Sequence, residues 1–289
     1  MTDRDRRQQV RAQFRGETEA AAVWDALDLL IETDRFLNLG YAPRYLPYPA
    51  LSTQRRLAAE VGRRLTLRLG YSAGVELLDV GCGRGGPSVV FARRFGFDVT
   101  GVDLVADNVR RARATAREAD AGIAVLVGDA TRLPIATDSV RACVVLDATP
   151  YVGDKRALLE EIARVLEPGG VMALTDLVHE TTADPATIER FTDAWDMAPL
   201  VPLSRYRELV PSVGFSRVRY DDLTAHSVGR FGFWAALFLA LVRTPAGTIA
   251  GRLLARAGVD LDAVREQVEA TRPALPALRH YLITGHRER

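Results

Sequence analysis

The stretch "LLDVGCGRGGPS", Leu77 to Ser88, carries the reading of the fold. An apolar run through Val80 leads into Gly81, Gly83 and Gly86 at the spacing G-x-G-x-x-G, and "SVVFARRFG" behind it reads as a helix. A strand that ends in a glycine-rich turn and opens a helix is a cradle for an anion or a nucleotide. Glycine lets the backbone come close to a ligand, and the helix N-terminus carries partial positive charge. The spacing alone is a weak signal, shared with dinucleotide oxidoreductases.

This unit is the first of a series. "DVTGVDL" precedes the helix "ADNVRRARATAREA", "IAVLVGDA" a turn around "LPIATDS", and "RACVVLDAT" the helix "DKRALLEEIARVL". "GVMALTDLV" follows the turn "EPGG", helix "LSRYRELVPSVGF" leads to strand "FSRVRYDDLTAHS", and "LRHYLITGHR" is the expected last strand. Apolar strands alternating with helices predict an α/β fold. Its centre is a doubly wound, mostly parallel seven-stranded sheet, Rossmann-like, covered on both faces.

The flanks read as appendages. Residues 1–70 form an N-terminal helical lid, in which "EAAAVWDALDLLIETDRFL" has helical spacing and "LGYAPRYLPYPALS" breaks it with three prolines. Ser52 or Thr53 is the expected cap of "TQRRLAAEVGRRLTLRLG", with Gly70 as its stop. The core is expected over 71–227, with a lid segment at about 179–205. A helical insertion over 228–278 and the final strand over 279–289 complete the chain.

With 289 residues, 48% hydrophobic and 26% charged, the chain has ample material for a core. A net charge of +1 without a concentrated basic excess argues against a nucleic-acid partner. Lys155 is the sole lysine, which reads as a coding bias toward arginine. Cys82 and Cys143 make neither a disulfide framework nor a metal cluster, so no metal is expected. The charged start "MTDRDRRQQVRAQFRGE" lacks the apolar core of a secretory signal, which gives a cytoplasmic expectation. "FGFWAALFLALV", Phe231 to Val242, is shorter than the roughly 20 residues a bilayer span needs, so no integral membrane segment is expected. The run reads first as a core helix, then as the wall of a greasy pocket, and last as a membrane-facing element.

Three acids choose the ligand. Asp79, just before the loop, would repel a pyrophosphate and attract the ammonium group of an amino acid. Asp103 ends the next strand, beside Leu104, where a carboxylate accepts hydrogen bonds from ribose hydroxyls. Asp129 in "VGDATRLP" is placed for an adenine amino group. An adenosine with a cationic amino acid on its 5′ side satisfies all three. That ligand is S-adenosylmethionine (SAM).

Taken in order, "LLDVGCGRGG", "GVDL", "VGDATRLP", "CVVLDATPYV" and "EIARVLEPGGVMALTDLV" resemble the class I SAM-dependent methyltransferases. The nearest subgroup is the UbiE-like small-molecule enzymes of quinone, sterol, sugar and natural-product pathways. The resemblance implies that Gly81, Gly83 and Gly85 lie against the methionine moiety, with Cys82 as a small filler between them. It puts Asp103 on the ribose, Asp129 and Ala130 at the adenine, and Asp147 beside the sulfonium. "LGY" resembles the subgroup's lid motif, which places the ring of Tyr41 near the cofactor; Tyr45 and Tyr48 share that loop.

Sugar O-methyltransferases of the subgroup carry a histidine just after the fourth strand, where this chain has Pro150 and Tyr151. The candidate catalytic groups are therefore Asp176, His179, His226 and Tyr151, with Asp176 ahead of the histidines. Phe191, Trp195, Met197 and Tyr206, with Phe231, Phe233, Trp234 and Phe238, point to a lipophilic small-molecule acceptor of isoprenoid, polyketide or prenylated aromatic type. The expected activity is O- or C-methylation in natural-product biosynthesis, with a homodimer as the expected assembly if the chain self-associates. The alternative is a SAM-binding member of the fold that acts as a cyclase or decarboxylase without moving a methyl group.

Overall fold

The fold is that of a computed structural model, which describes residues 3–14, 32–43, 52–245, 247 and 261–288. Helix α1 (Asp3–Phe14) and helix α2 (Thr53–Leu69) precede the sheet. Then come β1 (Glu76–Val80), α3 (Gly86–Phe95), β2 (Asp98–Asp103), α4 (Ala106–Glu118), β3 (Ala124–Val127) and β4 (Val140–Val145). Helix α5 (Lys155–Val165), β5 (Leu166–His179), α6 (Pro185–Ala194), α7 (Leu203–Ser212) and β6 (Phe215–Asp222) follow. Helices α8 (Val228–Val242) and α9 (Leu261–Thr271) precede the last strand, β7 (Leu278–Arg287).

All seven strands join one sheet in the order β3-β2-β1-β4-β5-β7-β6. Strands β1 to β5 pair in parallel, and β7 runs antiparallel to both β5 and β6. The order reverses beside β1, which puts the crevice for a ligand at the C-terminal ends of β1 and β4.

Both faces of the sheet are buried, and the two-residue period of each strand sorts its side chains between them. Leu78, Cys143, Met172 and Leu174 face a cluster filled by Leu158, Leu159 and Ile162 of α5 and Tyr206 of α7. Leu77, Ala142, Val171 and Ala173 face the other side, against Leu57, Val61 and Leu65 of α2 and Phe91 of α3. Each leucine, isoleucine, valine, methionine or phenylalanine among them contributes about 1.5–3 kcal/mol by leaving water.

Local departures from the sequence reading have physical reasons. Gly70 ends α2 in the left-handed region (φ 86°), but Ser52 sits at φ 85° and makes no side-chain cap. Strand β5 starts at Leu166 and runs through "EPGG", with Gly169 at φ 79° beside a register shift in the β4–β5 pairing. Strand β6 stops at Asp222, and the next residues form a short 3-10 turn over Thr224–His226. Most of the helix expected over 19–37 lies outside the described residues, and its end at Glu32–Phe36 is a turn closed by Phe36 N donating to Glu32 O (2.8 Å). Tyr45 and Tyr48 also lie outside.

Helix α8 divides its apolar side chains among three surroundings. Ala235 and Leu239 pack on Val264 and Val268 of α9. Phe231 and Trp234 line a cavity. Phe233, Leu237 and Leu241 are exposed, Phe233 by 71%. With the preceding turn the helical segment Thr224–Val242 reaches 19 residues at a mean hydropathy of 1.4, so by length and composition it is long enough to cross a membrane. The count over 231–242 alone understated it. Its contacts to α9 and the cavity tie its inner face to the rest of the chain.

Candidate active site

The glycine loop closes on its neighbours more tightly than any other residue type allows. Gly81 (φ 71°) approaches Ala148 so closely that a Cβ would lie 2.3 Å from its methyl group, and at Gly85 (φ 86°) a Cβ would lie 2.9 Å from the backbone of Ala112 in α4. The loop is tied to β2, since Gly81 N and Cys82 N both donate to Val102 O (2.7 and 3.1 Å). Gly83 N donates to Asp103 Oδ2 (2.9 Å). A first cavity opens over this loop and over the ends of β2 and β4, lined by Gly81, Gly83, Asp103, Asp129, Asp147 and Tyr151 among others.

Asp103 is buried, and Val105 N and Asn108 Nδ2 donate to its Oδ1 while Gly83 N donates to Oδ2. Burial pushes its pKa up, and these donors restrain the rise. They fill three of about four acceptor positions on a carboxylate, which leaves one open, and Asp103 lies in the cavity wall. Asp79 lies beneath the loop, 1% exposed, with Ser88 Oγ donating to Oδ2 (2.6 Å) and Oδ1 buried without a partner. Burial, opposed by the Ser88 bond and assisted by the charge of Asp103, pushes its pKa up to about 7.

Helix α1 roofs the cavity. Arg7 pairs with Asp129 Oδ2 (2.9 Å), while Thr131 donates to Asp129 Oδ1 from both N and Oγ1 (2.8 Å each). Arg6 donates to Met197 O (2.6 Å), Gln9 to Asp196 (2.7 Å) and Gln13 to Trp195 O (3.0 Å), so α1 is anchored on the segment after β5. With this roof in place about 120 Å³ is left open, below the roughly 300–1,000 Å³ of ordinary small-molecule sites.

A second cavity adjoins the first, walled by Phe191, Trp195, Met197, Phe231, Trp234 and Leu278 among others. Leu37, Asn38, Asp147 and Tyr151 line both. At this junction Asp147 stands at φ 53° with a dense set of donors. Thr175 Oγ1 (2.5 Å) and His280 Nε2 (2.9 Å) meet Oδ1, and Leu39 N donates to Oδ2 (2.9 Å). Ser227 Oγ gives its proton to Leu223 O (3.0 Å), so His280 Nδ1, 2.9 Å from that oxygen, is an N–H donor. His280, fully buried, is thus held between Ser227 and Asp147. Against the cost of burial, His280 and Thr175 hold the Asp147 pKa below its usual range.

Residues 77–170 match the family described as Methyltransferase domain. An O-methyltransferase of Aspergillus sclerotiorum is 30% identical over 193 residues, 65% of this chain and 71% of that protein. The chain belongs to the class I SAM-dependent methyltransferases. A geranyl diphosphate C-methyltransferase of Streptomyces coelicolor, solved with Mg2+, a geranyl thiolodiphosphate and S-adenosyl-L-homocysteine, superposes with a TM-score of 0.72 over 98% of both chains at 19% identity. The 4+2 cyclase SpnF superposes with a TM-score of 0.65 over 87% of this chain and 88% of its own, at 20% identity. At these identities the likeness is one of fold.

SAM is the cofactor of this methyltransferase, and the residues at hand fit it. The loop at Gly81 admits no Cβ, Asp103 lies in the cavity wall where a ribose hydroxyl would meet it, and the orphaned Asp79 Oδ1 lies just behind the loop, a carboxylate set for an ammonium group on the loop's far side rather than for direct contact. Of the residues expected to hold it, Gly81, Cys82, Gly83, Asp103, Leu104, Asp129, Ala130 and Asp147 line the first cavity. Gly85 and Asp79 support the loop from behind.

Tyr41 does not reach the methyltransferase's cavities. Its ring stacks on His226 at 4.5 Å, and His226 Nδ1 lies 3.2 Å from Ala42 O, so the two secure the lid loop to the turn after β6. Leu37 meets the glycine loop instead, 3.4 Å from where a Gly83 Cβ would stand. His179 lies at the outer end of β5, its ring on Glu180 O (2.9 Å), away from both cavities. Asp176 is wholly buried between Tyr206, which donates to it, and Lys155 Nζ at 3.8 Å, and it lines neither cavity. That position belongs to the core, because β5 turns Asp176 toward α5 and α7. Tyr151 alone among the expected catalytic groups stands at the junction, where burial pushes its phenol pKa up. His280, Thr175 and Arg7 were not singled out from the sequence. For His280 the only signal is a histidine at the head of "HYLIT" in the expected last strand.

Proposed function

We propose that this methyltransferase methylates a hydroxyl of a lipophilic small molecule held in the second cavity. The observation that carries this reading is that Leu37, Asn38, Asp147 and Tyr151 are walls of both cavities. A group in the apolar chamber meets the cofactor chamber at these side chains and nowhere else among the described residues. The names of similar proteins, several of them O-methyltransferases, favour oxygen as the methylated atom.

When bound, SAM supplies an electrophilic methyl carbon on a sulfonium. The chain's contribution is alignment and exclusion of water, which accounts for much of the catalysis in an in-line displacement. Phe191, Trp195, Phe231 and Trp234 desolvate the acceptor. Asp147 accepts a hydrogen bond from its hydroxyl and takes the proton as the oxygen becomes an oxonium. A carboxylate with a lowered pKa is base enough for this, because a methylated oxonium is a far stronger acid. His280 positions that carboxylate through its bond to Oδ1. Tyr151 closes the junction from the side of α1. Both cysteines are free and buried, which suits the reducing cytoplasm we infer for the protein.

The test is release of S-adenosylhomocysteine (SAH) from purified protein given SAM and two acceptor panels, lipophilic phenols and alcohols against small polar amines. Turnover with the lipophilic panel, lost in Asp147→Asn, is the expected result. Turnover with amines alone would overturn the acceptor class. A transformed lipophilic substrate without SAH would favour the cyclase or decarboxylase reading.

A further inference from the structure

The end of the sheet opposite the cofactor carries a second set of charged side chains that methyl transfer does not use. There, where β4 and β5 begin and β7 ends, a cleft of about 430 Å³ is lined by Arg68, Arg141, Arg217, His286, Arg287 and Glu288 among others. His280 pairs with Leu177 and His286 with Val171 along the β5–β7 ladder. Six residues of strand at about 3.4 Å each put the cleft roughly 20 Å from the Asp147 junction.

Charge in the cleft is one-sided. Arg287 pairs with Asp138, but among the described residues Arg141 and Arg217 have no ion-pair partner, and Arg68 donates only to the carbonyl of Arg217. With Arg219 and Asp221 beside Arg68 included, five guanidinium groups against the three carboxylates of Asp138, Asp221 and Glu288 leave two positive charges in excess. The imbalance is felt locally. Burial and then the neighbouring Arg219 and Arg217 push Arg68 below its usual pKa against Asp221, while burial and then Arg68 lower His286 against its bond to Gly169. Arg68 Nε is buried without an acceptor.

The backbone is bent to build this cluster. Arg217 sits at φ 49°, a left-handed conformation, at a register shift in β6 between Ser216 and Arg219. Such a conformation in a residue with a long side chain costs about 1 kcal/mol or more and persists only where its surroundings impose it. The bulge is what brings the Arg217 carbonyl to Arg68 and its side chain to the cleft. Across from it the Arg141 guanidinium lies over Gly169, whose missing Cβ (3.7 Å from Nη1 if present) leaves the floor open.

We propose that this cleft is a binding site for a multiply charged phosphoryl anion of the pyrophosphate type. Guanidinium forks match phosphate oxygens in pairs, and an excess of two charges on converging arginines calls for a dianion or more, which a single carboxylate does not supply. The phosphoryl group can arrive as free pyrophosphate or as part of a nucleoside diphosphate.

The experiment is titration calorimetry of the full chain with inorganic pyrophosphate and with ADP, at constant ionic strength and with SAH saturating the cofactor site. Saturable pyrophosphate binding with a Kd below about 1 mM is expected, weakened tenfold or more in both Arg141→Gln and Arg217→Gly. Glycine at 217 accepts the left-handed backbone without strain, so that variant folds even if the other does not, and SAH affinity within about twofold of wild type certifies each as folded. Equal affinities identify the phosphate alone as what is read, and tighter ADP binding narrows the ligand to nucleotides. Absence of saturation by about 10 mM, or binding indifferent to both substitutions, overturns the proposal.

Discussion

Three carboxylates separate into distinct roles at the level of single residues. Asp103 faces the cofactor cavity while holding Gly83 N, so Asp103→Ala removes a carboxylate from the cavity, the proposed ribose partner, and loosens the loop together. SAM affinity is expected to fall tenfold or more, since a charge-assisted hydrogen bond contributes about 1.5–3 kcal/mol. Calorimetry checks it, and an unchanged Kd would remove Asp103 from the site. Asp79 has a pKa of about 7, raised above its ordinary 3.8. A raised acid is neutral in the fold at pH 4 to 6, so its contribution to stability is full at low pH and is lost as pH rises through 7. Asp79 lines neither cavity, so a ligand ammonium would act on it across the loop; it still favours the ionised form, so SAM should bind more tightly with rising pH across 5.5 to 7, by less than about tenfold per unit. Asp79→Asn should flatten that profile; a wild-type profile equally flat would dissociate Asp79 from the ammonium. Asp176 behaves otherwise. Buried against Lys155 and Tyr206, it answers to folding, and Asp176→Asn is expected to lower the melting temperature by stranding Lys155, at a cost of about 3 kcal/mol, with turnover per folded molecule unchanged. Sequence position placed all three at strand ends or near them, where ligands bind. It did not say toward which face β5 turns Asp176, because both faces of this sheet are apolar and one residue of register moves a side chain from cavity wall to core.

At the scale of elements, the roof matters as much as the cradle. The strands and most helices of the core were legible, because the two-residue period, the glycine loop and the stops at Gly70 and Gly96 are local signals. The placement of α1 was not. Its polar pattern carries no apolar stripe, and what holds it is a set of long-range bonds from Arg6, Arg7, Gln9 and Gln13 to residues more than a hundred positions away. Since Arg7 engages Asp129 and α1 lines the cavity from Arg6 to Phe14, α1 is expected to move as a ligand enters. Deleting residues 1–14 should therefore speed SAH release and cut turnover tenfold or more through loss of water exclusion, as stopped-flow and steady-state rates would show. Helix α8 was legible as apolar but not as a wall. Trp234 separates the two readings: Trp234→Ala is expected to raise the acceptor KM by tenfold or more while SAM affinity stays within twofold. A fall in SAM affinity instead would place α8 on the cofactor side.

For the whole molecule, the junction ties together parts far apart in sequence. Asp147 from the end of β4 is bonded to Leu39 of the lid loop, Thr175 of β5 and His280 of β7, and His280 in turn meets Ser227 at the start of α8. No pairwise pattern in the sequence announces this convergence, since it exists only once the antiparallel β7 slots between β5 and β6. A cofactor that touches both core and roof should stabilise the whole by mass action, about 2.7 kcal/mol at a hundredfold excess over its Kd. For a chain of this size that corresponds to a rise in melting temperature of roughly 4–5 °C. In the chain lacking residues 1–14, a tenfold weaker Kd at the same SAH concentration removes about 1.4 kcal/mol of this, so the rise should shrink by about half. Differential scanning of both proteins with and without SAH reads it directly. An equal rise in the two would show that α1 covers the cofactor without binding it, and that the cradle of β1, β2 and β4 holds the ligand alone.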